Sequence, residues 1–311
     1  MSYTLSEVRF PSSDGYNSVY ARIYIPNGEI KGVVQLSHGM VDHSGRYEAL
    51  AEYLTASGYV FAGNDHLGHG YTAESDMAFG FFAESGGVNY ILEDLYSMNK
   101  LLCEKFPEHK PVLMGHSMGS FLSRLYAVKY PESISGHIIH GTGGPMGAVL
   151  PMGKALVKIM MTFCGKKYRS KMIKNISFMG YNDNFPESEG ENAWLTRDLE
   201  RVSSRDTDRL TNFIFTLSAY YDLFTMVGKC NSDQWFNEYP KDLPTIIMSG
   251  TKDPVGNDGA GPSYVYDNLQ ISGTKNITLK LYEEARHELF NETNREEVFC
   301  DMVQWLGGLS G

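Results

Sequence analysis

Cysteine is scarce, and the little there is stands apart. Cys103, Cys164, Cys230 and Cys300 are the only four among 311 residues, and no two form a CxxC pair. Such spacing supports neither a disulfide frame nor a zinc site and reads as free thiols in a reducing compartment. Long apolar runs are also missing; no stretch approaches the ~20 residues a bilayer-spanning helix needs. The opening residues, MSYTLSEVRF, lack the cationic start and apolar run of a secretory leader, so a cytoplasmic location is expected. Positive charge is in deficit: 27 Lys and Arg against 37 Asp and Glu leave a net charge of −10. Nucleic-acid phosphates would be repelled by that balance. The densest cationic patch, Lys166-Lys167-Tyr168-Arg169, is explained by a solvated face. No repeat, low-complexity tract or Pro- or Ser-rich linker interrupts the chain. What remains is an ordinary globular composition, 42% hydrophobic and 21% charged, long enough for one α/β domain with a sizeable core.

Short apolar, β-branched runs recur along that chain. Residues 19–25 alternate and precede Pro26, which predicts an antiparallel strand near the start. Further strands are predicted over 32–36, 59–63, 111–114, 136–139, 244–248 and 277–282. Helical periodicity fills several gaps. Val88, Ile91, Leu92, Leu95, Met98, Leu102 and Phe106 share one face, and Phe121, Leu122 and Leu125 do so more briefly. Thr293-x-x-Glu296 has the capping-box pattern and predicts a last helix burying Val298, Met302 and Leu306. Strands alternating with helices imply an α/β fold with a mostly parallel central sheet and helices on both faces. From about residue 143 to 242 the rhythm stops. No strand is evident there, and Met and aromatic residues abound. The expected organisation is a core of residues 1–142 and 243–311 with a helical cap inserted at 143–242.

Gly115-His116-Ser117-Met118-Gly119 is a G-x-S-x-G motif between a predicted strand and a helix. In that context the serine sits on a tight turn that lifts its hydroxyl above the strand ends, and the glycines allow strand and helix to pass closely. A serine hydroxyl needs a base. In this arrangement the chain order is Ser, acid, His. Of nine histidines only His287 follows position 140, and it lies in a loop after the strand 277–282. The acid should follow the preceding strand, which ends in Gly250-Thr251-Lys252-Asp253. Asp253 is therefore the expected partner of His287, with Asp258 and Asp267 as later competitors. Acyl transfer also needs two N–H donors for the oxyanion. The backbone amides of Met118 and Met40 are the candidates.

Other signals are weaker. Gly68-His69-Gly70-Tyr71-Thr72-Ala73 fits a loose nucleotide-binding pattern but does not open a helix directly after a strand. His66 and His69 lack a carboxylate set for a metal, so structural hydrogen bonding is the better account. No metal and no cofactor are expected.

Taken together these motifs resemble the monoacylglycerol lipases and bacterial lysophospholipases of the α/β-hydrolase superfamily. The similar segments are residues 37–47, 64–70, the elbow at 115–119, Asp253-Pro254-Val255-Gly256, Leu279-Lys280-Leu281-Tyr282-Glu283 before His287, and Trp194-Leu195-Thr196-Arg197-Asp198 within the insertion. The resemblance spans nearly the whole chain. It implies a cap over the site and hydrolysis of single-acyl lipid esters through an acyl-enzyme. A short-chain esterase or thioesterase, and a binding protein on a hydrolase scaffold, are the alternatives; the intact Ser117, Asp253 and His287 argue against the last. The expected partner is a small-molecule acyl ester, with no nucleic acid and no transmembrane segment. Transient contact with a membrane surface, if made, falls to the cap, and no oligomeric state is assigned. Met residues are flexible and polarizable, so the cluster at 146–179 is expected to wall an acyl pocket, with Met160 and Phe163 as its representatives.

Overall fold

The computed structural model describes residues 3–310. Among the described residues eight strands form one sheet in the order β1-β2-β4-β3-β5-β6-β7-β8. They are β1 (Tyr3–Pro11), β2 (Ser18–Pro26), β3 (Gly32–Ser37), β4 (Tyr59–Asn64), β5 (Val112–His116), β6 (Gly136–His140), β7 (Thr245–Gly250) and β8 (Ile277–Tyr282). β1 and β2 run antiparallel, as the alternation at 19–25 predicts for the second of them; all pairs from β4 to β8 are parallel. β1 escapes a sequence reading because it is a half-exposed edge strand. It is fully buried at Tyr3 only, so nothing demands an apolar run there.

The helices are α1 (Glu48–Ala56), α2 (Gly87–Lys105), α3 (Met118–Lys129), α4 (Val149–Cys164), α5 (Lys171–Ser177), α6 (Leu199–Thr207), α7 (Leu217–Cys230), α8 (Asp233–Glu238), α9 (Ala260–Ile271) and α10 (Arg295–Gly307). One apolar core lies between the sheet and α2, α3, α7, α8 and α9. A second lies on the opposite face under α1 and α10. Covered on both sides, β4, β5, β6 and β7 are buried at every residue, which is why they read as continuous apolar runs. The predicted capping box is not formed: the residue before α10 is Asn294, Thr293 lies outside the helix, and no side chain caps its first turn. The Thr293 amide instead donates to Glu292 Oε2 at 3.0 Å, drawn there by a buried carboxylate.

Strand order reverses around β3, whose neighbours are β4 on one side and β5 on the other. A crevice opens at such a switch point, at the carboxyl ends of the strands. The segment between β6 and β7 supplies α4 to α8 and no strand. Its last two helices join the core: Trp235 Nε1 donates to the Arg124 carbonyl at 2.8 Å, and the buried Arg124 guanidinium lies 4.4 Å from the Trp235 ring centre.

Candidate active site

Ser117 stands between the last residue of β5 and the first of α3 with φ 53° and ψ −120°. That conformation is strained for a residue with a Cβ and persists only where the surroundings enforce it. Here they do. The Ser117 amide donates to the His140 carbonyl at 3.0 Å, fixing the turn to the end of β6. A Cβ on Gly119 would collide with the Ser37 carbonyl, and one on Gly115 with the Ser123 side chain. The two glycines therefore let α3 lie directly against β3 and β5.

Asp253 follows β7 and is fully buried. Its Oδ1 accepts from the Val255 amide at 2.9 Å. Both of its oxygens lie 3.0 Å from His287 Nδ1. A carboxylate there requires Nδ1–H as donor, which leaves Nε2 with its lone pair facing away from the acid. The His287 loop follows β8 and is held from the insertion: the His287 amide donates to the Trp194 carbonyl at 3.4 Å, and the Glu288 amide to that of Leu195 at 2.7 Å. The imidazole sits between two rings, His116 at 4.8 Å and Trp194 at 5.1 Å between centroids. Asp258 takes no part; its amide bonds back to the Asp253 carbonyl.

Met40 lies on the turn after β3. Beside it, a Cβ on Gly39 would come within 3.3 Å of Ser117 Cβ, so this turn passes very close to the serine. Met118 opens α3, where its N–H belongs to the unpaired first turn at the positive end of the helix dipole. Ser117, His287, Met40 and Met118 all border one cavity of about 1030 Å³.

An ion cluster braces the turn. Asp42 accepts from the Gly39 amide (3.3 Å), the Tyr47 hydroxyl (2.7 Å) and Arg46 (2.9 Å). Arg46 also grips Glu288 with two bonds, at 2.9 and 2.8 Å. Burial alone would raise both carboxyls, yet the Arg46 guanidinium holds Asp42 and Glu288 below the usual carboxylate range. This bridge joins the turn bearing Met40 to the loop bearing His287. Nothing local signals the pair, since 242 positions separate its members. Histidines 66 and 69 serve the same region: Ser37 Oγ is 3.1 Å from His66 Nε2, and the Val41 amide donates to His69 Nε2 at 3.3 Å.

Two expected pocket residues are misplaced. Phe163 is 84% exposed, and Met160 packs on the core without bordering the cavity. A helix can offer only one face to a cavity, and α4 offers Leu150 and Gly153. Met152, Ile159 and Phe163, at spacings of seven and four, project outward instead. The apolar wall is completed by Phe178, Trp194, Phe213, Leu223 and Phe224. Among the described residues no helix is long and apolar enough to cross a membrane.

Known proteins share this fold. The family model described as serine aminopeptidase, S33, matches residues 28–294. The chain is 24% identical over 310 residues to a monoacylglycerol lipase of Mycolicibacterium smegmatis, covering 98% of each. It superposes with a TM-score of 0.92 on a thermostable carboxyl esterase from Bacillus coagulans in complex with glycerol, at 27% identity and 99% coverage of both. An open-form lipase gives 0.90 at 28% identity, over 99% of this chain and 100% of that one.

Proposed function

The chain belongs to the serine aminopeptidase S33 family, and on that premise we propose that it is a serine carboxylic-ester hydrolase acting on monoacylglycerol-type lipids. In this reading Ser117 attacks the ester carbonyl and passes its proton to His287 Nε2, while Asp253 holds the ring and stabilises the imidazolium. The amides of Met40 and Met118 receive the oxyanion. His287 then protonates the departing alcohol, and water releases the fatty acid from Ser117 by the reverse roles. Residues 3–142 and 243–310 form the catalytic core together with α7 and α8, and the rest of the segment 143–242 covers the site.

One observation carries the choice of an acyl lipid over a peptide. The cavity above Ser117 is walled mainly by apolar side chains and measures about 1030 Å³, room for a long alkyl chain. An aminopeptidase must instead meet an ammonium group. The two buried carboxylates at this cavity, Asp42 and Glu288, are already committed to Arg46.

The test is a series of p-nitrophenyl esters alongside an amino-acid p-nitroanilide. Each substrate CH₂ that is buried adds about 0.8 kcal/mol, so kcat/KM should climb steadily from acetyl to octanoyl. A fluorophosphonate should label the wild type and fail to label Ser117→Ala. Equal kcat/KM for acetyl and octanoyl esters would make this a short-chain esterase. Faster cleavage of the anilide would make it an aminopeptidase.

A further inference from the structure

The imidazole of His287 is covered by a residue of the insertion. Trp194 meets it with 5.1 Å between ring centres and 37° between planes. That is inside the roughly 6 Å over which an indole face attracts a cation. The indole is held where it stands. The Trp194 amide donates to Asn182 Oδ1 at 3.1 Å, and the Trp194 carbonyl accepts from the His287 amide at 3.4 Å. Arg286, one residue before the base, donates from Nη1 to the carbonyls of Ala193 at 2.7 Å and Thr196 at 3.3 Å. Tyr181 packs edge-on against the indole at 5.1 Å, and Phe178 lies 5.8 Å away. Trp194 is buried by these contacts.

The other groups around the ring keep their charge. Asp253 faces Nδ1. His116, on the ring's other side at 4.8 Å, is pushed down to about 4 by burial, and His140, stacked on His116, is held well below the usual range by its own burial. Tyr181 is pushed up to about 12 by burial and by Asp253. Burial would raise Glu288, yet Arg46 holds it below the carboxylate range. The Arg286 guanidinium is committed to Glu189 and to the Phe185 ring. His116, His140, Tyr181 and Glu288 therefore stay as they are across the neutral range. The charge that appears beside Trp194 during the reaction is the His287 imidazolium.

We propose that Trp194 is a positioning residue for this reaction: its indole face stabilises the imidazolium that His287 becomes on taking the Ser117 proton, so the insertion itself strengthens the base. A neutral imidazole gains little from the same face. The contact is thus stronger in the transition state than in the resting enzyme, which is the condition for speeding the chemical step. The inference rests on His287 acting as base, as in the reading above, and not on the lipid nature of the ester.

The test is the pH profile of kcat/KM for p-nitrophenyl acetate in wild type, Trp194→Leu and Trp194→Phe. Leucine keeps the apolar cover and removes the π face. Well above the acid limb Trp194→Leu should be about five-fold slower, a factor within what such contacts supply. Its acid limb should move to lower pH by the same factor, roughly 0.7 unit. Below the limb the two profiles should converge. There the free enzyme already carries the imidazolium, so the indole stabilises ground and transition states alike. Trp194→Phe, with a weaker face, should fall between the two. A contact that only props the loop would lower the whole profile and leave the limb in place. That outcome, or wild-type kcat/KM in Trp194→Leu, overturns the inference. A second measurement needs no substitution. The full chain made with mono-, di- and trifluorinated tryptophan keeps the indole's shape while draining charge from its face. Its kcat/KM should decline with each added fluorine, and the same series in Trp194→Phe should stay level. A flat series in the wild-type chain overturns the inference even where Trp194→Leu fails to fold. Equal rates for acetyl and octanoyl esters remove the lipid reading and leave this profile test standing. A uniform drop alongside a rising octanoyl series removes only the role of Trp194.

Discussion

At the scale of single residues, the site is a set of groups whose neighbours leave them one state. His287 has its Nδ1 fixed 3.0 Å from both oxygens of Asp253. Asp253→Asn should preserve the fold yet present an amide that favours the wrong tautomer. We expect kcat to fall by up to ~10⁴ with little change in far-UV dichroism; activity near wild type would remove Asp253 from the reaction. Arg46 is bracketed by Asp42 and Glu288, all three largely buried. Arg46→Leu strands two carboxylates in the interior. The expected loss is about 3–5 kcal/mol at neutral pH. Denaturant titration checks it, and a change below about 1 kcal/mol would mean that water reaches the carboxylates. Both acids titrate below their ordinary values in the fold, so their stabilisation is complete at neutral pH and is lost as pH falls below about 4.

At the scale of elements, the contact between α7 and α2 carries its own pH dependence. Asp222 on α7 is buried, with its carboxyl against the start of α2 beside the backbone of Gly87 and Val88. Burial pushes its carboxyl up to about 6, against the lowering effect of that backbone and of Lys154. The folded state therefore holds a proton that the unfolded chain releases near pH 4. Stability from the neutral form is present below that pH and is lost as pH rises through about 6. At about 1.4 kcal/mol per unit the loss reaches at most about 3 kcal/mol. Asp222→Asn keeps an acceptor beside the α2 backbone and carries no charge. It should be more stable than wild type at pH 8, by about 1–3 kcal/mol, and indistinguishable at pH 4. Urea midpoints at the two pH values decide; a variant less stable at pH 8 would show that the ionised carboxylate is favoured there.

At the scale of the whole molecule, the insertion is stitched to the core at several points. Glu292, fully buried, takes the Arg197 side chain at 2.8 Å and the Arg286 amide at 2.8 Å. Arg295 reaches Asp198 at 3.2 Å, and His43 Nε2 lies 2.8 Å from Asp208. The buried Arg124 bonds the Cys230 carbonyl and Asn231 Oδ1 at the end of α7. Such buried couplings tie the two segments into one cooperative unit. A single calorimetric transition is expected. Two resolved peaks would mean that the insertion melts by itself, and Glu292→Gln should then move only the first.

Much of this was fixed by local chemistry and could be read from the chain. The apolar runs at 32–36, 59–63, 136–139 and 244–248 announced the inner strands because burial on both faces demands unbroken hydrophobicity. The elbow was legible because a strained turn between crossing elements tolerates only glycine at 115 and 119. Chain order then pointed to Asp253 and His287, which lie in hydrogen-bond contact in the fold. Tertiary structure alone decided the rest. The Arg46–Glu288 bridge joins residues far apart in sequence, and its charges look like ordinary surface charges until they are buried together. The phase of α4 was undecided too: apolar residues surround that helix, so periodicity could not choose which face looks inward. Packing against α7 turned Leu150 and Val157 in and left Phe163 in solvent, because a helix has one orientation in the fold and none in the sequence.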